Sequence, residues 1–569
     1  VTSAIVALGS AIAPWALRAQ IIHGTVSSAV GAGRIPGAVV LLLDSTSLTT
    51  YARALTSDSG AYSIRVTVPG RYHLKVMRIG FRPTVSQTFD LARDSTIDFA
   101  LTDIPVVLPA VTTRDRSDCR LHPDTTAAGL RTFAIWDDAR TALHAAAITL
   151  EGDYRFAKLL HVRLYDVAHH ELRDVTLRET QTHGASPWIT LPAEEFRARG
   201  YATEDDSGAT FYAPDLDVLL SPYFSETHCF RLTTRPAPSP AVVGIDFEPA
   251  GKLRHVEIGG TLWVDSTTKE LESLVFSFVN LPISASDTLL GGRIEFVRLA
   301  SGGWIIPSWI IRMPTAIRRV LGADPWVPGT VRSVGSARGR YRYSAEVVRV
   351  QGADLRSVRR SGDDTVLWRR PAGSVRVHAV RRTESGTVDA DGVIVRLVGS
   401  PISGYSPADG RVRFSELLPG TYLFEASTPQ LDLIEATALR TTVTVLPDTV
   451  VEAQVSVKAL LQAAREVCDD DHFGNNSGIL AGHLTVAPSN SPVPRAKLTV
   501  EWHGGSRETV SRQDGYYRIC GVPRATSLVV RTSAAGLMVA KTVTLEHDEV
   551  VGRLDLQLLP QAVPSEEER

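Results

Sequence analysis

The sequence lacks most of the marks by which catalysts announce themselves. It has no His-Glu-x-x-His, no His-x-x-Glu with a distant third ligand, no Gly-x-Ser-x-Gly elbow, no P-loop and no Gly-x-Gly-x-x-Gly opening a helix. Tetrahedral zinc with one open position, an activated serine or a cradled phosphate each needs one of these arrangements. The nearest approach to an elbow, Val334 to Gly339, has the wrong spacing. Cysteine is scarce, with four in 569 residues, and methionine scarcer, with three. Neither charge sign dominates: 60 Lys and Arg stand against 62 Asp and Glu, for a net charge of -2. That balance excludes a long-range electrostatic pull toward nucleic acid or an anionic membrane. No stretch reaches the roughly 18 apolar residues of a membrane-spanning helix.

What is present is an ordinary globular composition, 44% hydrophobic and 21% charged, in a chain too long for one core. The first residues are apolar from Ala4 to Leu17 and end in Leu17-Arg18-Ala19. This fits a secretory signal peptide over 1–19, although no basic residue precedes the apolar run. The alternative is a buried N-terminal strand or helix. There is no cysteine beside this segment to carry a lipid anchor.

One pattern occurs three times, in "SDSGAYSIRVTVPGRYHL" (57–74), "PADGRVRFSELLPGTYLF" (407–424) and "RQDGYYRICGVPRATSLV" (512–529). A turn ends in Gly60, Gly410 or Gly515. Apolar residues follow two and four positions later, Tyr62 and Ile64, Val412 and Phe414, Tyr517 and Ile519, as one face of a half-buried strand requires. A proline turn then closes each unit at Pro69, Pro419 and Pro523. Opening strands are expected at "IIHGTV", "ESGTV" and "LAGHLTV". With further alternating runs downstream, each copy reads as a small β-sandwich of about seven strands.

The Gly-Thr-Val opening, "IPGA", "TSDSGAYSI", "VPGRYHLKV" and "IGF" of the first copy resemble the carboxypeptidase regulatory-like module. This is a transthyretin-like sandwich common in bacterial cell-envelope proteins. The resemblance covers about residues 20–110; the other two copies match less completely. It implies a fold and no activity of its own.

Between the first and second copies the pattern breaks. Residues 124–147 read as an amphipathic helix with Leu130, Phe133, Trp136 and Leu143 recurring at helical spacing. Alternating strands follow, with hairpin turns at "DSTTKE" and "ASGG". The stretch from Val242 to Pro314 is similar to curved-sheet proteins related to periplasmic lipoprotein carriers, in which a helix covers a concave sheet. Trp263, Phe276, Phe278, Trp304 and Trp309 are expected to fill the core between them.

The expected fold class is mainly β and multi-domain, with three small antiparallel sandwiches and an α+β middle domain. The order is signal peptide 1–19, sandwich 20–110, helix plus curved sheet 111–350, linker 351–371, sandwich 372–457, linker 458–472, sandwich 473–560 and tail 561–569.

Candidate sites are few. Asp469, Asp470, Asp471 and His472 could hold a hard cation, but lack the spaced ligands of a calcium loop and read as a solvated turn. His169 and His170, taken as strand neighbours, would face opposite ways. Tyr62, Tyr72 and Tyr422 could stack on a sugar, but occupy core positions. No catalytic residue, metal site or cofactor is assigned. The cysteines allow three pairings. Chain order favours Cys119 with Cys229 and Cys468 with Cys520, each contributing roughly 4–5 kcal/mol by loop closure. The expected product is an exported, non-enzymatic binding or scaffolding protein, periplasmic or outer-membrane-associated. Its partner would be an envelope protein, a glycan or a lipid. The alternatives are a carrier of a lipid or hydrophobic ligand in the middle domain, and a carbohydrate-binding protein.

Overall fold

The computed structural model describes residues 19–103, 127–318 and 341–559, apart from short stretches at 32, 47–49, 184–187, 206–207, 235–241, 252–253, 266–267, 269, 282–289, 384–385, 469–472, 475 and 535. The signal segment expected at 1–19, except its last residue, and the whole of the tail 561–569 lie outside these. The chain is mainly β and forms two compact units, with the sequence boundary between Arg370 and Pro371.

The first unit begins with a sandwich. One sheet holds the strands Gln20–Ser28 and Ala61–Val66; the other holds Thr50–Leu55, Val39–Asp44 and Gly70–Met77. Tyr62, Ile64, Val40, Leu42, Leu74 and Val76 fill its core. The strand Val39–Asp44 departs from simple alternation, because Val39 to Leu42 are all buried. Val40 and Leu42 point into the sandwich, while Val39 and Leu41 join a second core around the helix Ala127–Glu151, here α1.

This helix differs from the amphipathic one expected. From Ile135 to Leu150 no residue is exposed, and Ala142, Ala145, Ala146 and Ala147 let neighbouring backbones come close. A helix with no exposed side belongs inside a protein. The sandwich covers one side of α1. A ten-stranded sheet supplies the other, running in order from Glu171–His183 through Tyr154–Asp166, Tyr341–Arg360, Ser308–Arg318, Gly291–Glu295, Leu271–Val279, Glu257–Asp265 and Val242–Pro249 to His228–Thr234. Trp136 meets Phe230 at 5.1 Å, and the Thr149 hydroxyl accepts a hydrogen bond from the Trp304 amide at 3.1 Å. Phe276, Phe278, Trp304 and Trp309 lie in this core. Trp263 does not: it pairs with Gly244 and Ser273 on the opposite face, half-buried.

Two stretches expected as linkers are structured. Residues 351–371 continue the strand Tyr341–Arg360 and add Val366–Arg369 to the sheet. Their charged residues obscured the buried Ala353, Leu355 and Val358. Residues 458–472 hold the helix Leu460–Cys468, with Ala463 and Ala464 buried.

The second unit contains two sandwiches. In all three copies the turn glycine has positive φ, 73° at Gly60, 67° at Gly410 and 78° at Gly515. In each, its carbonyl accepts from the opening strand, from Val26, Ala379 and Leu484 at 2.8, 2.8 and 2.9 Å. By that criterion the opening strand of the second copy is Gly373–Thr383. Of the stretch expected to open it, "ESGTV", the described residues Gly386 to Val388 lie in the following strand, Gly386–Asp389, which is exposed throughout.

The opening strand also pairs in parallel with the last strand of its sandwich, and here the copies divide. In the second, Ser374 to Arg381 pair without interruption with Val450 to Val457. In the first and third the last strand is broken, at Ile97-Asp98 and Leu554-Asp555. Both breaks use the same three residues. Gly24 and Gly482 sit opposite Tyr62 and Tyr517. The tyrosine hydroxyl donates to the carbonyl of Ile97 (2.6 Å) or Leu554. The following Asp98 or Asp555 accepts from the amide after the glycine, at 2.7 and 2.9 Å.

A Cβ at Gly24 would run into the Ile97 carbonyl, whereas one at Gly33 meets nothing within 4 Å. Gly24→Ala is therefore expected to cost about 1–3 kcal/mol, and Gly33→Ala to be near neutral, in urea unfolding of the full chain.

Candidate functional site

The richest constellation of chemistry-bearing side chains lies on the middle sheet, where the strands Tyr154–Asp166, Tyr341–Arg360 and Ser308–Arg318 adjoin. Register places Ser308 opposite Asp354 and His161 opposite Gly352. A Cβ at Gly352 would lie 2.6 Å from His161 Cε1, so the glycine makes room for the ring. Asp354 is the hub. Its carboxylate accepts from Ser308 Oγ at 2.7 Å and from Arg370 Nη1 at 3.2 Å, and faces His161 Nε2 at 3.3 Å. Arg163 Nη1 lies 2.8 Å from His161 Nδ1, and Arg370 also donates to the Pro307 carbonyl at 2.9 Å.

Serine, histidine and aspartate thus come together, but not as a nucleophilic triad. There the hydroxyl gives its proton to the imidazole. Here the hydroxyl donates to the carboxylate, and both ring nitrogens are engaged elsewhere. Burial pushes the His161 pKa below its ordinary value, against the pull of Asp354. Burial works to raise Asp354, but His161, Arg370 and Ser308 together hold it below the usual range. The consistent state is a neutral imidazole donating to an ionised carboxylate, which is a cross-strand brace.

The residues singled out by sequence fall elsewhere. Cys119 and the Asp469–His472 cluster lie outside the described residues. Cys229 is disulfide-bonded. His169 and His170 occupy the turn after Asp166, with His170 at φ 53°, not a strand as taken above. His169 Nδ1 lies 3.1 Å from Asp166. Among the described residues no group of three or more His, Cys, Asp and Glu could hold a metal. Tyr62, Tyr72 and Tyr422 are buried, and the Tyr72 and Tyr422 hydroxyls each donate to the carbonyl four residues back, at 2.9 and 2.8 Å.

Cys468 and Cys520 are joined, with Cα atoms 5.7 Å apart. The bond ties the helix Leu460–Cys468 to the strand Tyr516–Pro523. Beside it, Tyr516 Oη donates to Leu433 O and Arg518 Nη1 to Ile434 O, both at 2.8 Å, and Arg512 pairs with Glu435 at 2.7 Å. The third sandwich is thereby fastened to the carbonyls that end the helix Pro429–Leu433 of the second. The first sandwich is fastened too. Arg53 pairs with Glu151 of α1 and, at 3.3 Å, with Asp217. Gly37 meets Gly302 of the "ASGG" hairpin so closely that a Cβ would lie 2.5 Å from its Cα.

Residues 21–102 match the family model of the carboxypeptidase regulatory-like domain. The chain carries such a domain. The match coincides with the first sandwich, one outer face of which packs toward α1 through Val39, Leu41 and Met77. Among solved structures the chain is similar to the shaft pilin SpaA of Lactobacillus rhamnosus GG, with 10% identity over 34% of this chain and 99% of that one at a TM-score of 0.14. It is also similar to a minor pilin of Streptococcus agalactiae, with 11% identity over 35% and 100% at 0.14. A third is the Bacillus anthracis TIE protein, with 10% identity over 71% and 83% at 0.15. No curated protein matches the chain.

Three measurements follow. Asp354→Ala leaves Arg370 without its buried carboxylate and is expected to cost about 3–5 kcal/mol at pH 7. His161, depressed when folded, contributes stability that is full above about pH 6.5 and is lost as pH falls through its folded value. His161→Asn should therefore flatten the fall in stability between pH 7 and 5 seen by urea unfolding. Peptide mapping without reduction is expected to find Cys119 linked to Cys229; Cys229 linked elsewhere would refute that pairing.

Proposed function

We propose that this is an exported, non-enzymatic scaffolding or binding protein of the bacterial cell envelope. The observation that carries the reading is the fastening of each sandwich to a neighbour. One is fused to α1 through Val39, Leu41 and Met77, and another is bolted by Cys468–Cys520 and the contacts of Tyr516 and Arg518. Modules fixed this way hold surfaces at set positions, which is what a scaffold requires. The Ser308–His161–Asp354 group supports a structural role because its proton donors are spent on one another. The disulfide fits an oxidising compartment. No helix among the described residues is long and apolar enough to cross a membrane.

The carrier alternative is weaker because the space between the sheet and α1 is occupied by Phe276, Phe278 and Trp309 of the sheet and by Trp304 of the hairpin beside it. The carbohydrate alternative loses its platform, since the repeat tyrosines are buried. Cell fractionation followed by native purification and mass spectrometry tests the reading. Recovery from the envelope with a protein partner is expected. A stoichiometric lipid would favour the carrier, a stoichiometric glycan the carbohydrate reading, and retention in the cytosol would overturn export.

A further inference from the structure

On the face of the ten-stranded sheet turned away from α1, Arg312 stands without a counter-charge among the described residues. Arg312 lies between Ile311, in the helix-side core, and Met313, packed against it, so by alternation its own side chain takes the other face. Register sets it opposite Gly291 on one side and Val350 on the other. Beyond Gly291 the same row continues through Ser277 to Gly259. Arg312 therefore ends a strip of sheet nearly bare of side chains.

Arg293 stands on the neighbouring strand, opposite Ile310, and pairs with Glu295 at 3.2 Å. Among the described residues Arg312 has no such partner. It is half-buried, its Nε is buried without a hydrogen-bond acceptor, and no carboxylate among the described residues pairs with it. Burial, and then the like charge of Arg293, draw its pKa below the usual value. The contrast with Arg370 on the same sheet, satisfied by Asp354 and Pro307, is plain. A guanidinium withdrawn from water without a counter-charge is costly, and two arginines side by side add repulsion.

We propose that Arg312, with Arg293 beside it, binds a phosphate-type oxyanion on the bare strip. The guanidinium fork matches tetrahedral oxyanions. Adjacent strands lie about 4.8 Å apart, so one compact anion can reach both side chains. The inference is independent of the scaffolding role and of net charge, since the effect is local.

The full chain would be unfolded thermally in sodium phosphate and in sodium chloride at matched pH and ionic strength. The wild type should gain a saturable rise in midpoint with phosphate. Arg312→Gln should be no less stable than wild type in chloride, yet lose the rise, with phosphate binding by calorimetry weakened roughly 10–100-fold. Flotation with phosphatidylglycerol against phosphatidylcholine vesicles separates the sources. Retention by the former alone assigns the phosphate to a lipid headgroup; a phosphate effect without retention assigns it to a soluble phosphate. The proposal falls if phosphate does not shift the wild type. It falls if Arg312→Gln binds phosphate as well as wild type, or is destabilised equally in both salts, which would mark a structural arginine. Binding of polyglutamate without binding of phosphate would overturn it in favour of an acidic protein partner.

Discussion

The burial of α1 on both sides is the constraint on which the first unit depends. A lone sandwich needs only one apolar face per strand, and a curved sheet needs a cover for its concave side. Here one helix serves both. Val39 and Leu41 of the sandwich, Phe276 and Trp309 of the sheet, and Trp304 of the short hairpin beside it belong to a single core around Trp136, Ala142 and Leu143. The regulatory-like domain is therefore no bead on a string. Its strand Val39–Asp44 is apolar on both faces because both are covered, and Arg53 adds an ion pair to Glu151 where the helix ends.

The three repeats show how much variation one framework tolerates. The turn glycine is common to all, since its carbonyl must meet the opening strand and a Cβ at Gly60, Gly410 or Gly515 would come within 2.7, 2.5 or 2.5 Å of that strand's carbonyl. Closure of the last strand is not common to all. Where glycine faces tyrosine the strand breaks, and the phenol and an aspartate take up the freed backbone groups. Where Val377 faces Val412, no phenol is available and the ladder runs unbroken past Ala453. A buried backbone group must find a partner, so the break and its tyrosine occur together.

Strands and turns were legible in the sequence wherever period-two alternation met a glycine or proline, as at Tyr62, Val412 and Tyr517. What escaped was burial on two faces and polarity within a fold. α1 looked amphipathic because Asp137, Asp138 and Arg140 interrupt its apolar residues. Residues 351–371 looked like a linker because Arg356, Arg359, Asp363 and Asp364 hide the buried Leu355 and Val358. Trp263 was placed in the core by its type, when its position in the alternation puts it on the other face. The brace of His161, Arg163 and Asp354 left only a weak trace, charged residues at alternate positions of a strand. Its partners are about 190 residues apart, and pairing over that distance is set by sheet register, which local pattern does not encode.

Among the described residues, several arginines of the middle sheet's polar side have a carboxylate partner, and Arg312 does not. Arg293 has Glu295, Arg370 has Asp354, and Arg231 has Asp246 and Glu248. The first two pairs are half-buried or deeper, where an unmatched ion is expensive. Such matching would be idle on a fully solvated surface, where ion pairs contribute little. It indicates a face on which each charge has a counter-charge because water does not suffice. Against that background Arg312 stands out more than its exposure alone would suggest. A scaffold gains nothing by retaining an unmatched half-buried cation between Gly291 and Val350, whereas a binding surface does, because the missing counter-charge arrives with the ligand.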